Sequence, residues 1–121
     1  MRAVFDTNIL IDYLNGVELA RDEIQRYTKT AISVITYIEI QIGIAHKKQL
    51  DSVKSFLRHF QIMDVTGEIA DLAISVRRAH KLKIPDAIIL ATAQFFKGDL
   101  VTRNTKDFTP DFPSVRVPYQ L

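Results

Sequence analysis

The chain has 121 residues, 47% of them apolar, no cysteine, and a net charge of +2, with an isoelectric point near 9.0. That length describes one domain over residues 1–121 with a single well-buried core. The absence of cysteine excludes disulfides and thiolate metal sites, and suits a reducing cytoplasm; the mild basic bias is compatible with a nucleic-acid partner without requiring one.

The first stretch, "MRAVFDTNILIDYL", starts apolar, but Asp6 and Asp12 interrupt it, so it reads neither as a signal peptide nor as a membrane span. Within it "RAVF" (Arg2–Phe5) is a short buried strand. Ile9, Leu10, Tyr13 and Leu14 then recur at helical spacing until Gly16. A second helix is expected from about Glu18 to Tyr27, and "AISV" (Ala31–Val34) reads as a strand. The next stretch, "ITYIEIQIGIA", is ambiguous. Isoleucines at 38, 40, 42 and 44 alternate as in a strand. Joined to "AISV", however, that strand is far longer than the usual 5–6 residues. Thr36 and Glu39 also form a T-x-x-E capping box, with Ile35 and Ile40 as its hydrophobic staple.

Residues Asp51 to His59 read as helical and "QIMDV" (Gln61–Val65) as a strand. In "EIADLAISVRRAHKLK", Ile69, Leu72, Ala73, Val76 and Ala79 share one helical face. Pro85 to Phe96 is a helix apolar on most sides, and therefore buried, with Ile84 as its cap, Pro85 first and Asp86 second. "GDLVTR" turns at Gly98 into a strand at Leu100. "NTKDFTPDFPS" (Asn104–Ser114), with two prolines, is a surface loop, and "SVRVPYQ" is a last short strand. Strands alternating with helices specify an α/β fold with a parallel sheet covered on both faces.

That topology sorts the acids, because helix N-termini gather at the carboxyl edge of the strands, where open α/β folds place their sites. Asp6 ends the first strand. Glu39 falls in the first turn of the helix after the second strand. Asp86 opens the helix before "LVT", and Asp107 follows that strand. Asp99 precedes its strand and belongs to the opposite edge. Asp12, Glu18, Asp22, Glu23, Asp51, Glu68 and Asp71 suit exposed helix positions or caps, and Asp64 and Asp111 have no assigned place. Taken alone, Asp86 is equally an acid favoured by the positive end of a helix dipole.

Four carboxylates at one edge repel one another unless a positive charge sits among them. A hard divalent cation with oxygen ligands is the usual remedy. The three histidines (His46, His59, His80) sit on helical segments without ligand-like spacing, so the donor set suits Mg²⁺ or Mn²⁺ rather than zinc. Arg103, Lys106 and "RRAHKLK" (Arg77–Lys83) are candidate contacts to substrate phosphates; the last is equally a solvated helix end that favours the dipole.

Together "VFDTNILIDYL", "ISVITYIEIQIGI" and "KIPDAIILATAQFFKGDLVTRNTKDF" resemble the PIN-domain ribonucleases, in particular the VapC-type toxins of bacterial and archaeal toxin–antitoxin pairs. The resemblance runs from Arg2 to about Phe112. It implies a PIN-like three-layer α/β/α sandwich with a small, mainly parallel central sheet. Asp6, Glu39 and Asp86 match the family's first three acids and are the implied metal ligands, and Glu39 then lies on a helix. Many members carry a fourth acid two residues after the strand-end threonine, where Asn104 stands. Others carry it before the phenylalanine, where Asp107 stands. Thr7, Asn8, Thr102 and Asn104 are implied as supporting groups. The resemblance further implies Mg²⁺- or Mn²⁺-dependent endoribonuclease activity, an RNA substrate, a small cognate antitoxin, a homodimer, and no membrane partner.

Two other readings use the same residues. "FDTN" after a strand is similar to the D-x-D of haloacid-dehalogenase-like phosphatases, but Asn8 replaces the second aspartate and no downstream lysine is evident. A PIN-like fold that only binds RNA or protein is the non-enzymatic alternative, which Asn104 favours and the three retained acids oppose.

Overall fold

The computed structural model describes residues 1–44, 47–109 and 111–121. Its elements follow in the order β1 (Arg2–Phe5), α1 (Thr7–Leu14), α2 (Glu18–Gln25), β2 (Lys29–Ser33), α3 (Val34–Ile42), α4 (Lys47–Leu57), β3 (Gln61–Met63), α5 (Gly67–His80), α6 (Ile84–Phe96), β4 (Asp99–Val101) and β5 (Val115–Arg116). The five strands form one sheet in the order β3-β2-β1-β4-β5, and every pairing is parallel.

Alternation along the strands builds two cores. Successive side chains point to opposite faces, so Val4, Ala31 and Leu100 face α5 and α6, joined there by Ile69, Leu90 and Phe108. Ala3, Phe5, Ile32 and Val101 face the opposite way, onto Ile9, Leu10, Val53 and Leu57 of α1 and α4. Burial on both sides explains why these strands read as continuous apolar runs. The result is a three-layer α/β/α sandwich around a parallel sheet.

The chain begins at the centre of the sheet, extends through β2 and β3, and then crosses to the other side of β1 for β4 and β5. The crossing leaves a crevice beyond the carboxyl ends of β1 and β4, the position at which open α/β sheets hold ligands. Asp6 follows β1 there and Thr102 follows β4.

The ambiguous stretch is helical. The ladder of β2 ends at Ser33, whose hydroxyl accepts from Ile35 N at 3.1 Å and caps α3. The alternating isoleucines share no buried face: Ile40 is buried, whereas Ile38 and Ile42 are exposed. The expected Thr36–Glu39 capping box does not form. Thr36 is buried inside the helix, and Glu39 is its sixth residue rather than part of the first turn. At α6 the cap is Lys83, so the helix starts one residue earlier than expected, with Ile84, Pro85 and Asp86 as its first three residues.

Gly98 serves close approach rather than a left-handed turn. The positive φ of the α6 C-terminus falls on Lys97 at 59°, while a Cβ on Gly98 would lie 2.8 Å from the carbonyl carbon and oxygen of Arg2. His80 ends α5, but His59 lies in the turn after α4 rather than on a helix, and His46 is outside the described residues. Among the described residues no helix is long and apolar enough to cross a membrane.

Candidate active site

Asp6 is the fixed point of the crevice. Its backbone N–H still donates to Val101 O at 2.9 Å, continuing the β1–β4 pairing by one residue, and its side chain caps α1. Oδ1 accepts from Thr7 N at 2.8 Å. Oδ2 accepts from the Thr102 hydroxyl at 2.7 Å and from Asn8 Nδ2 at 3.3 Å. The side chain is only 5% exposed. Burial pushes its pKa up, and the hydrogen bonds from Thr102 and Thr7 oppose that without cancelling it, so the carboxyl stays above its ordinary value.

Glu39 reaches the same place from α3. Its Oε1 lies 2.8 Å from the Thr7 hydroxyl, which is also 3.1 Å from the Thr36 hydroxyl. A threonine has one proton to donate and an ionised carboxylate only accepts. Thr7 therefore donates to Glu39, and buried Thr36 supplies the proton between the two hydroxyls. This bond replaces the capping role expected for Glu39.

Asp86 and Asp107 complete the group. Burial raises the Asp86 pKa first; the charges of Asp6, Asp107 and Glu39 then raise it further, to about 6, with Lys83 pulling it down. The charges of Asp6, Asp107 and Glu39 thus all act on Asp86. Asp107 is held by Asn104 in a reciprocal pair: Asn104 Nδ2 donates to Asp107 Oδ2 at 3.0 Å, and Asp107 N donates to Asn104 Oδ1 at 3.1 Å. Both functional ends of the Asn104 amide are thereby engaged with Asp107. Thr102 is similarly occupied, since its hydroxyl also accepts from Asn104 N at 3.0 Å.

Among the described residues no three Asp, Glu or His side chains converge tightly enough to grip an ion unaided. The donor set nonetheless fits a hard cation: every group at the edge offers oxygen, and one lysine stands against four acids. Magnesium keeps several of its own waters, so it does not need carboxylates closed around it.

Sequence reasoning misplaced several charged residues. Asp12, expected at an exposed helix position, is buried and accepts from Arg103 Nε at 2.6 Å, from Arg103 Nη2 at 2.9 Å and from the Tyr119 hydroxyl at 2.8 Å. Burial raises its pKa, but these bonds and the Arg103 charge prevail and leave it lowered. Arg103 is accordingly paired with Asp12. Glu23 is also buried, holding Arg116 at 2.6 and 3.1 Å and accepting from the Tyr27 hydroxyl at 3.2 Å. For Asp12 a signal existed: it lies four residues after Asn8, on the same face of α1. For Glu23 the local signal is Tyr27, four residues on, while its arginine partner is 93 residues away. Lys106 is exposed in the loop after β4. In "RRAHKLK", Arg77 Nη1 donates to Leu82 O at 2.8 Å beyond the end of α5, so this arginine fastens the helix end.

Comparison with known proteins bears on this arrangement. No curated protein sequence matches the chain. Among solved structures, a toxin–antitoxin complex from Klebsiella pneumoniae contains a chain 42% identical, covering 98% of this chain and 99% of that one with a TM-score of 0.92. VapBC2 from Rickettsia felis, bound to a DNA fragment from its promoter, matches at 23% identity over 95% of this chain and 96% of that one, TM-score 0.80. DNA-bound VapBC from Salmonella typhimurium matches at 23% identity over 96% of each chain, TM-score 0.80. The last two show likeness of fold. The family model of the PIN domain matches residues 3–109, a span that includes Asp6, Glu39, Asp86 and Asp107, and the chain belongs to the PIN domain family.

Proposed function

We propose that this protein is a metal-dependent endoribonuclease and the toxin of a toxin–antitoxin pair. The observation that carries the reading is the set of acids at the crevice: burial first, and then the charges of Asp6, Asp107 and Glu39, raise the Asp86 pKa to about 6, with Lys83 opposing them. Asp6, Glu39 and Asp86 are the residues that would hold Mg²⁺ or Mn²⁺, directly or through water, with Asp107 adding charge. A cation held there would lower the pKa of water and stabilise charge on phosphoryl oxygens.

The chain's own residues prepare the acids for that role. Thr102, Thr7 and Asn8 hold Asp6 in one orientation. Thr7 fixes Glu39. Asn104 fixes Asp107. In the proposed reaction water adds in line to the RNA phosphorus and the P–O3′ bond breaks, leaving a 5′-phosphate and a 3′-hydroxyl. Exposed Lys106 is the remaining candidate phosphate contact from the strand-end loop.

The toxin reading is supported by the 42% identical chain of the Klebsiella complex, which comes from a toxin–antitoxin assembly. A small cognate antitoxin, a homodimer and a cytoplasmic setting, where an RNA substrate resides, belong to the same proposal. The test is cleavage of RNA by the purified chain with Mg²⁺ or Mn²⁺ and with chelator. Metal-dependent 5′-phosphate ends that vanish in Asp6→Asn, Glu39→Gln and Asp86→Asn are expected. Metal-independent cleavage, or wild-type cleavage by Asp86→Asn, overturns the reading; a folded protein that binds RNA without cutting it supports the binding-module alternative.

A further inference from the structure

Asp12, Arg103 and Tyr119 adjoin the acidic edge without belonging to it. In the chain Arg103 lies between Thr102, whose hydroxyl donates to Asp6, and Asn104, whose amide donates to Asp107. The N–H of Arg103 donates to Asn8 Oδ1 at 3.0 Å. Its guanidinium grips Asp12 through two nitrogens, and the Tyr119 hydroxyl closes on Asp12 Oδ2. Asn8 and Asp12 share one face of α1, the helix that Asp6 caps. That helix therefore holds the strand-end loop twice, once by its backbone and once by its arginine. On the other side of Thr102, its N–H donates to Arg116 O at 3.0 Å.

A bidentate guanidinium–carboxylate pair fixes orientation as well as distance. We propose that Asp12, Arg103 and Tyr119 form a positioning unit that holds residues 102–104 so that Thr102 orients Asp6 and Asn104 orients Asp107. The inference rests on the ribonuclease reading for its kinetic consequences, though not for its effect on metal affinity. A misplacement of about one ångström at a reacting centre lowers rates by about a hundredfold. Loss of the groups that orient metal ligands lowers affinity or activity by about 10–100-fold.

Two rival roles leave different signatures. An arginine that contacts substrate raises KM when replaced and reduces the salt dependence of binding. A pair that only stabilises the fold lowers the melting temperature while the folded fraction keeps its kcat and metal affinity.

The experiment uses the full chain with Arg103→Lys, Asp12→Asn, the double variant and Tyr119→Phe. Lysine keeps the charge and loses the fork. Cleavage of a single-stranded RNA oligonucleotide gives kcat and KM, Mn²⁺ titration without RNA gives affinity, and amide exchange reports the Arg103 and Asn104 N–H groups. The expected result is a kcat about 10–100-fold lower with KM within about twofold, and Mn²⁺ affinity weakened about tenfold. The double variant should be no worse than the worse single one, since both break one contact. Tyr119→Phe should act in the same direction and less. Glu23→Gln, which breaks the other buried pair, should lower the melting temperature without changing Mn²⁺ affinity. A raised KM at constant kcat, or unchanged Mn²⁺ affinity and amide exchange in folded Arg103→Lys, overturns the proposal. If the wild type cuts no RNA, the ribonuclease reading fails and the positioning unit stands or falls on Mn²⁺ affinity and amide exchange.

Discussion

Arg103 turns its guanidinium to Asp12, at 2.6 and 2.9 Å, although its neighbours in the chain, Thr102 and Asn104, both bond to acids of the crevice. The one guanidinium at the end of β4 is thereby withdrawn from the four carboxylates. Lys83 lowers the Asp86 pKa against these acids.

The Asp12–Arg103 pair makes stability depend on pH in a defined direction. Asp12 has a lowered pKa in the folded protein, so the native state releases this proton more readily than the unfolded chain. Its stabilisation is full above the unfolded value of about 3.9 and is lost as pH falls through the folded pKa. Asp12→Asn should cost about 2–4 kcal/mol at pH 7, as expected for removing one partner of a largely buried pair. The gap from wild type should narrow as the pH drops below about 4. Urea unfolding of both proteins across this range checks it, and a gap independent of pH would contradict the assignment.

Gly98→Ala should be costly through sterics alone. The added Cβ meets Arg2 backbone at 2.8 Å, at the start of the β1–β4 ladder where Ala3 pairs with Asp99. Backbone cannot swing aside as a long side chain does, so a loss of about 1–3 kcal/mol is expected, typical of overpacking. Gly43→Ala, whose Cβ would make only ordinary 3.5 Å contacts, should lose much less. Equal losses in denaturant melts would show that the close approach is not what Gly98 serves.

Asn104 and Asp107 should differ in kind. Asp107→Asn removes a charge from the crevice, whereas Asn104→Ala leaves that charge and frees its orientation. Asp107→Asn should therefore weaken Mn²⁺ affinity more than Asn104→Ala does. Titrating Mn²⁺ into each protein decides the order, and the reverse order would make Asp107 a surface acid.

Much of this arrangement was legible because it depends on local rules. Apolar runs marked the strands, and strand–helix alternation put Asp6, Asp86 and Asp107 at one edge. Helix α3 was harder, because its isoleucine pattern follows a strand period while the decisive facts are the short β2 ladder and the Ser33 cap. The buried states of Asp12 and Glu23 were legible only as hints, Asn8 four residues before the one and Tyr27 four residues after the other. Each depends on an arginine more than ninety residues away, and a charged residue on a short helix reads as exposed until its partner is seen. The Arg103 pairing was hidden for the same reason: its position beside Thr102 suggests substrate, while its guanidinium meets Asp12 of α1.

The most direct test of a cation site at the crevice needs no substrate and compares thermal melts of wild type and Asp86→Asn, each in chelator and in millimolar Mn²⁺. The folded pKa of Asp86, about 6, lies above the unfolded value, so the native state holds this proton more tightly. Its ionisation costs stability as pH rises from about 4 through 6, and the cost is full at pH 7. Partial exposure and the lost helix-dipole contact reduce the gain from Asp86→Asn to about 1 kcal/mol in chelator. Wild type should gain about 2.7 kcal/mol when Mn²⁺ stands at a hundredfold excess over Kd, a rise of several degrees. Asp86→Asn should start higher at pH 7 and respond less to Mn²⁺. A variant that starts lower and keeps the full Mn²⁺ response would make Asp86 an ordinary helix-end acid and contradict the metal-site account.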